Sequence, residues 1–110
     1  MASSETTVAF VLEQMEGAGE VTAKKMFGEY GLYCQGKMVA LVCDDELFVK
    51  PTVAGREFVG ECPEQPPYPG AKPCLLIAAE KWDERDWLSK LIRLTAVQLP
   101  DPKPKVARRK

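Results

Sequence analysis

At 110 residues the chain has room for one domain with a single core, and its 45% apolar and 28% charged residues are ordinary for a globular protein. The formal net charge of -1 hides an asymmetry, because Lys103, Lys105, Arg108, Arg109 and Lys110 crowd the last eight residues and leave the preceding body acidic. No stretch nears the ~20 apolar residues of a membrane helix, no apolar N-terminal run suggests a signal peptide, and histidine is absent.

Without histidine the chain lacks the commonest general base, the commonest metal ligand and the usual pH switch. Four cysteines, Cys34, Cys43, Cys62 and Cys74, lie 9, 19 and 12 positions apart with no CxxC pair. That spacing does not match the paired knuckles of structural zinc sites, so no metal and no cofactor is expected. A cytoplasmic location is the expectation, and with it free thiols. Cys34 and Cys43 sit in apolar runs, where cysteine acts as a small hydrophobe on a covered face.

In chain order, Ser3 or Ser4 can cap a first helix, with Glu5 favourable in its first turn. Val8, Val11, Leu12 and Met15 carry its buried face at helical spacing, and Gly17-Ala18-Gly19 ends it. Residues 20–25 read as a connection whose paired lysines are solvated. The stretch from Lys24 to Pro51 then organises the chain as a three-strand meander, with turns at Gln35-Gly36 and Asp44-Asp45. A two-residue loop at Gln35-Gly36 pairs Cys34 with Lys37, Tyr33 with Met38 and Leu32 with Val39. Both sheet faces carry apolar side chains, so both need cover. Gly28 and Gly31 flank Glu29 and Tyr30, and mark either a structural bulge or a binding groove.

Pro51 ends the third strand, and Val53, Phe58 and Val59 suggest a short helix that Gly55 weakens. Five prolines, Pro63, Pro66, Pro67, Pro69 and Pro73, make a stiff extended connection around Tyr68 and Gly70. Residues 74–79 form another buried strand. Asp83 reads as the N-cap of a last helix running to Leu99, with Trp87, Leu88, Leu91, Leu94 or Thr95, and Gln98 on its apolar stripe and Ser89, Lys90 and Arg93 outward. Trp82 either staples the entry to this helix or protrudes as an interface anchor. The class is α+β, a mainly antiparallel sheet with helices at both ends. A single domain over residues 1–102 with a basic tail over 103–110 is the expected organisation.

Lys25-Met26-Phe27-Gly28, Tyr30-Gly31-Leu32-Tyr33, Gly36-Lys37-Met38 and Leu47-Phe48-Val49-Lys50 together resemble the TfoX N-terminal domain family of bacterial competence regulators. The later run from Pro67 to Pro73 and the closing Trp87-Leu88, Leu91, Thr95 and Leu99-Pro100 resemble it too, so the likeness spans residues 5–104. It implies an α-β(3)-α-β(2)-α order similar to type III secretion chaperones, with a fifth strand in or near the proline-rich connection. It also implies transcriptional regulation of competence genes, alongside the cyclic-AMP receptor protein or other transcription machinery. Two-domain members carry a helical C-terminal domain, whereas this sequence holds the first domain and a short tail. The resemblance supplies no catalytic residues.

The expected function is therefore that of a small regulatory or adaptor protein acting through protein contacts, either as a homodimer or as a monomer whose helices cover everything. Gly28, Glu29, Tyr30, Gly31 and Trp82 are its candidate groove or interface residues. The alternative is weak nucleic-acid binding by Lys103, Lys105, Arg108, Arg109 and Lys110, which can neutralise several phosphates but bring no aromatic ring for stacking. Catalysis is not expected. Its best nucleophile is Cys62, in a Gly-Glu-Cys-Pro loop where Glu61 disfavours the thiolate.

Overall fold

Two tight turns set the sheet. Gln35 and Gly36 have φ of 52° and 84°, and Asp44 and Asp45 have 55° and 57°. Two consecutive left-handed residues match the right-handed twist of the strands they join. Both turns therefore lie where the sequence predicts them. The computed structural model describes residues 5–26 and 29–99. Its elements are α1 (Glu5–Met15), a 3-10 turn (Glu16–Ala18), β1 (Val21–Met26), β2 (Glu29–Cys34), β3 (Lys37–Cys43), β4 (Glu46–Val49), α2 (Val53–Val59), β5 (Glu64–Gln65), β6 (Cys74–Ile77), α3 (Ala79–Trp82) and α4 (Arg85–Gln98).

All pairings are antiparallel, in the order β1-β2-β3-β4-β6-β5. The α+β class is as expected, and the strand implied in the proline-rich connection is β5. The meander gains a strand: the supposed connection over residues 20–25 is β1, paired with β2 from Val21↔Cys34 to Met26↔Glu29. Thr22, Lys24 and Lys25 are exposed, so this edge strand shows little apolar alternation for a sequence reading to find. Its lysines also discourage further pairing at that edge.

Cys34↔Lys37 and Tyr33↔Met38 pair as expected, but Leu32 pairs with Ala40, not Val39. The register shifts between Leu32 and Tyr33, leaving Val39 as an extra residue in β3. A bulge of this kind re-aims the side chains beyond it. Val39 joins Ala40 in the core under the helices, and Met38 packs with the residues of the opposite face.

The helices all pack on one face. Val8, Val11 and Met15 of α1 and Leu88, Leu91 and Ile92 of α4 close over Leu32, Val42, Leu47, Val49, Leu75 and Ile77. Helix α4 holds the assembly together through its polar atoms. The Ser89 hydroxyl donates to Gln14 O at 2.7 Å and accepts from Gly17 N–H at 3.1 Å. The Gln98 Oε1 accepts from Ala54 N–H at the start of α2, beside the Thr52 cap on Gly55 N–H. Lys37 Nζ donates to Ala96 O at 2.8 Å and Leu99 O at 3.1 Å, placing a cation at the negative end of the helix. Gly55 belongs in α2 because a Cβ there would stand 2.9 Å from Thr52 Oγ1 and 3.5 Å from a Leu91 methyl.

Three details of α4 differ from the sequence reading. Asp83 is not its N-cap: at φ -74° and ψ -13° it closes α3, and Glu84 takes the non-helical cap conformation. The extra turn is held by Trp82, whose indole Nε1 donates to Ile77 O at 3.1 Å. Ser89 faces inward, because its hydroxyl finds two backbone partners. Gln98 is exposed, while Thr95, one of the two residues the stripe allowed at its position, is buried and returns its hydroxyl to Leu91 O at 2.8 Å.

The contact between the end of α1 and α4 tolerates no side chain at residue 17, where a Cβ would meet Ser89 Oγ at 2.7 Å and Ser89 Cβ at 2.9 Å. Gly17→Ala is expected to lower the unfolding free energy by about 1–3 kcal/mol in denaturant titration. Adding Ser89→Ala leaves the Cβ clash in place and does not restore it; full recovery in that double variant would contradict the packing.

Candidate functional site

The outer face of the sheet has no helix among the described residues, yet it is apolar. Leu41, Cys43, Phe48 and Cys74 form a second cluster there, with Met38 and Leu76 at its margin. Phe48 is only 3% exposed. The connection from β5 to β6 provides cover, folding back over the outer face as a strap instead of turning directly. Pro67 and Tyr68 separate two hollows. One of about 500 Å³ lies between the strap and Met38, Leu41 and Lys50, and one of about 340 Å³ lies against Cys43, Glu46 and Phe48.

The strap is built from its own sequence. Tyr68-Pro69-Gly70-Ala71 closes a turn with Ala71 N–H donating to Tyr68 O at 3.1 Å, and Gly70 has φ 89°. Proline at the second position and a left-handed glycine at the third are the residues a type II turn requires. At the strap's start, Arg56 of α2 forks onto Glu64 at 3.0 and 3.1 Å. Four prolines, Pro66, Pro67, Pro69 and Pro73, restrict φ through the connection, so the cleft beside it is largely preformed.

Charge divides the two hollows. The larger is lined by Lys50 and Lys72 and by no carboxylate among the described residues. The smaller has Asp44 and Glu46. Tyr68, at the cleft, is 53% exposed; the other large apolar side chains exposed to this degree among the described residues are Val53 and Val97, which do not line it.

The residues singled out from the sequence do not converge there. Tyr30 packs inward against the main core, so Glu29 and Gly31, its neighbours on β2, face the outer side. The Glu29 carboxylate accepts from Asp44 N–H at 3.3 Å. Trp82 lies under the inner face, where its carbonyl also accepts from Gln14 Nε2 at 2.7 Å. Val42 and Leu47 separate Tyr30 from Ile77, the residue that Trp82 binds. Gly28 and the five tail cations lie outside the described residues. The sequence reading passed over Lys50, Tyr68 and Lys72. The signal available for them was a Pro-Gly turn between an aromatic residue and a lysine in a proline-dense run.

The four cysteines are free, and every one has its thiol pushed up from the ordinary value. Burial is the main cause throughout. For Cys43 the carboxylates of Glu29 and Asp44 add to it, and the thiol rises to about 11. For Cys74 the Lys50 cation works against burial, and for Cys62 it is Glu64, not the adjacent Glu61, that adds to it. Neither Cys34 nor Cys43 is exposed, at 0% and 4%, as their place in the apolar runs implied. No group of three or more histidine, cysteine or acidic side chains among the described residues is arranged to hold a metal.

Two consequences can be measured. A thiol raised in the folded state favours folding below its unfolded value, and that contribution fades as pH climbs to the folded one. Between pH 9 and about 11, Cys43 therefore takes about 2–3 kcal/mol from the unfolding free energy. Cys43→Ala should flatten that part of the pH profile. In the strap, a Cβ on Gly70 meets nothing within 4 Å, so Gly70→Ala tests backbone conformation alone. Its expected cost is about 1 kcal/mol, with faster amide exchange at Ala71.

No helix among the described residues is long and apolar enough to cross a membrane. The profile of the TfoX N-terminal domain family matches residues 13–98. A Spirochaeta aurantia protein described as an uncharacterized 12.7 kDa protein in the trpE 5' region is 41% identical over 110 residues, covering 100% of this chain and 95% of its own. The matched span runs from the last residues of α1 through the meander and the strap to the end of α4, and the chain belongs to the TfoX N-terminal domain family.

Proposed function

We propose that this protein is a small cytoplasmic regulatory or adaptor module that acts by binding other proteins, in the manner of TfoX-type regulators of competence genes, and that it catalyses no reaction. Family membership over residues 13–98 is the observation that carries the regulatory part. The chemistry of the site supports binding over catalysis. The thiol of Cys74 in its wall is raised, and the chain has no histidine to serve as base. By contrast, the outer face offers a preformed apolar cleft with cations at its wall, the usual composition of a recognition site.

The partner this reading favours is transcription machinery, with the cyclic-AMP receptor protein as the first to test. Calorimetric titration of the full chain into that receptor, with cyclic AMP and without DNA, is expected to show saturable binding of about micromolar affinity, the range of transient regulatory contacts. Light scattering on the same samples gives the stoichiometry and reports a homodimer if one forms. Should the chain ignore both the receptor and RNA polymerase, yet bind duplex DNA in a way that weakens as salt rises, the tail-based nucleic-acid reading replaces this one.

A further inference from the structure

We propose that the larger strap cleft is a peptide-docking site, and that its occupant is an extended segment of a partner protein carrying an apolar side chain next to carboxylates. This rests on the protein-binding reading above and names the surface and the chemistry it selects.

Three observations converge on that occupant. The first is charge. Lys50 and Lys72 stand in the wall of an otherwise apolar cleft, and among the described residues neither has a carboxylate within ion-pair distance. Among the described residues no carboxylate competes with an entering one for these cations, and low-dielectric walls strengthen the attraction. The second is the distribution of exposed apolar side chains. Tyr68, 53% exposed, is the one of the three exposed large apolar side chains among the described residues that lines the cleft. An exposed aromatic ring at the mouth of an apolar cleft is the kind of side chain that interaction sites use as an anchor. The third is preorganisation. The prolines and the Tyr68–Ala71 turn fix the strap before anything binds, so ordering it costs a ligand little.

The same observations disfavour other occupants. Residues 100–110 follow directly from Leu99 in the cleft wall, but they carry five cations against one carboxylate, the same sign as Lys50 and Lys72. A second copy cannot stack its sheet flush on this face, because the strap stands across it. A cleft of about 500 Å³ with Lys72 and Tyr68 exposed is open along its rim, which suits a passing chain better than an enclosed small molecule.

The test is selection of a random peptide display library on the immobilised full chain, followed by synthesis of the consensus peptide with a fluorescent label. Selected peptides are expected to place Asp or Glu within two positions of an aromatic or aliphatic residue. Lys50→Glu and Lys72→Glu should each weaken the consensus peptide about three- to tenfold, and Tyr68→Ser should weaken it similarly. Both lysines have solvent-facing surface, so unchanged melting temperatures are the accompanying control, and Lys25→Glu on the far edge strand should leave affinity unchanged. Raising salt from about 50 to about 300 mM should weaken binding several-fold.

No selection, selection without acidic residues, or affinity indifferent to both charge reversals overturns the proposal. So does competition by a synthetic peptide of residues 100–110, which would assign the cleft to the chain's own tail. A dimer abolished by the same reversals would assign it to a second copy. If the receptor still binds Lys50→Glu and Lys72→Glu as tightly as the parent, the docking site falls while the protein-binding reading stands.

Discussion

The structure depends on one constraint: the sheet is apolar on both faces, and its helices serve only one. Leu41 and Phe48 face away from α1 and α4 because they alternate with Ala40, Val42, Leu47 and Val49, which face toward them. Leaving such a side chain in water costs about 1.5–3 kcal/mol, so a second cover is needed. Eight residues between β5 and β6 are too few for another packed helix layer with its turns. A strap of prolines around one type II turn provides cover with fewer residues. Its stiffness lowers the entropy lost on laying it down.

The helix layer is organised from α4 outward. One helix meets α1 through Ser89, α2 through Gln98 and Gly55, and the β2–β3 hairpin through Lys37. Apart from the close packing at Gly55, a backbone group that a helix end leaves open is satisfied in each case by a side chain from another element. Local ends thereby become tertiary joints. Lys37 connects the two layers most directly, since it follows the tight turn at Gln35-Gly36 and reaches the carbonyl end of α4. The bulge at Val39 lies two residues further on. It gives Val39 to the helix side and Met38 to the strap side, so one irregularity serves both layers.

What the sequence made legible was chemistry local to the chain. Gln-Gly and Asp-Asp marked their turns because few other pairs tolerate left-handed backbone. Val8, Val11 and Met15 marked a buried helix face because three-dimensional burial there follows a one-dimensional period. Legibility failed where a partner decided the outcome. Val21 to Lys25 becomes a strand because β2 offers it an edge. Ser89 turns inward because Gln14 and Gly17 lie opposite, and Asp83 loses its cap position because Trp82 binds Ile77. The cleft was hidden for the same reason. The strap's composition could be read as stiff, but its path across Leu41 and Phe48 depends on strands β3, β4 and β6 that it meets only in the folded chain.

The strap also changes what the outer face can bind. A bare sheet face bearing Leu41, Phe48 and Leu76 would offer a broad apolar patch with little power to discriminate. Covered, it exposes a limited cleft with Lys50 and Lys72 in its wall, while Asp44 and Glu46 lie by the other hollow beyond Pro67 and Tyr68. Because β3 and β4 are antiparallel, the acidic turn between them and the basic end of β4 are held at opposite ends of the same strand. A ligand whose anion lay beyond Pro67 and Tyr68, in the other hollow, would meet carboxylates instead of lysines. Polarity, and not affinity alone, is therefore built into this face by a turn, a strand and a strap of prolines.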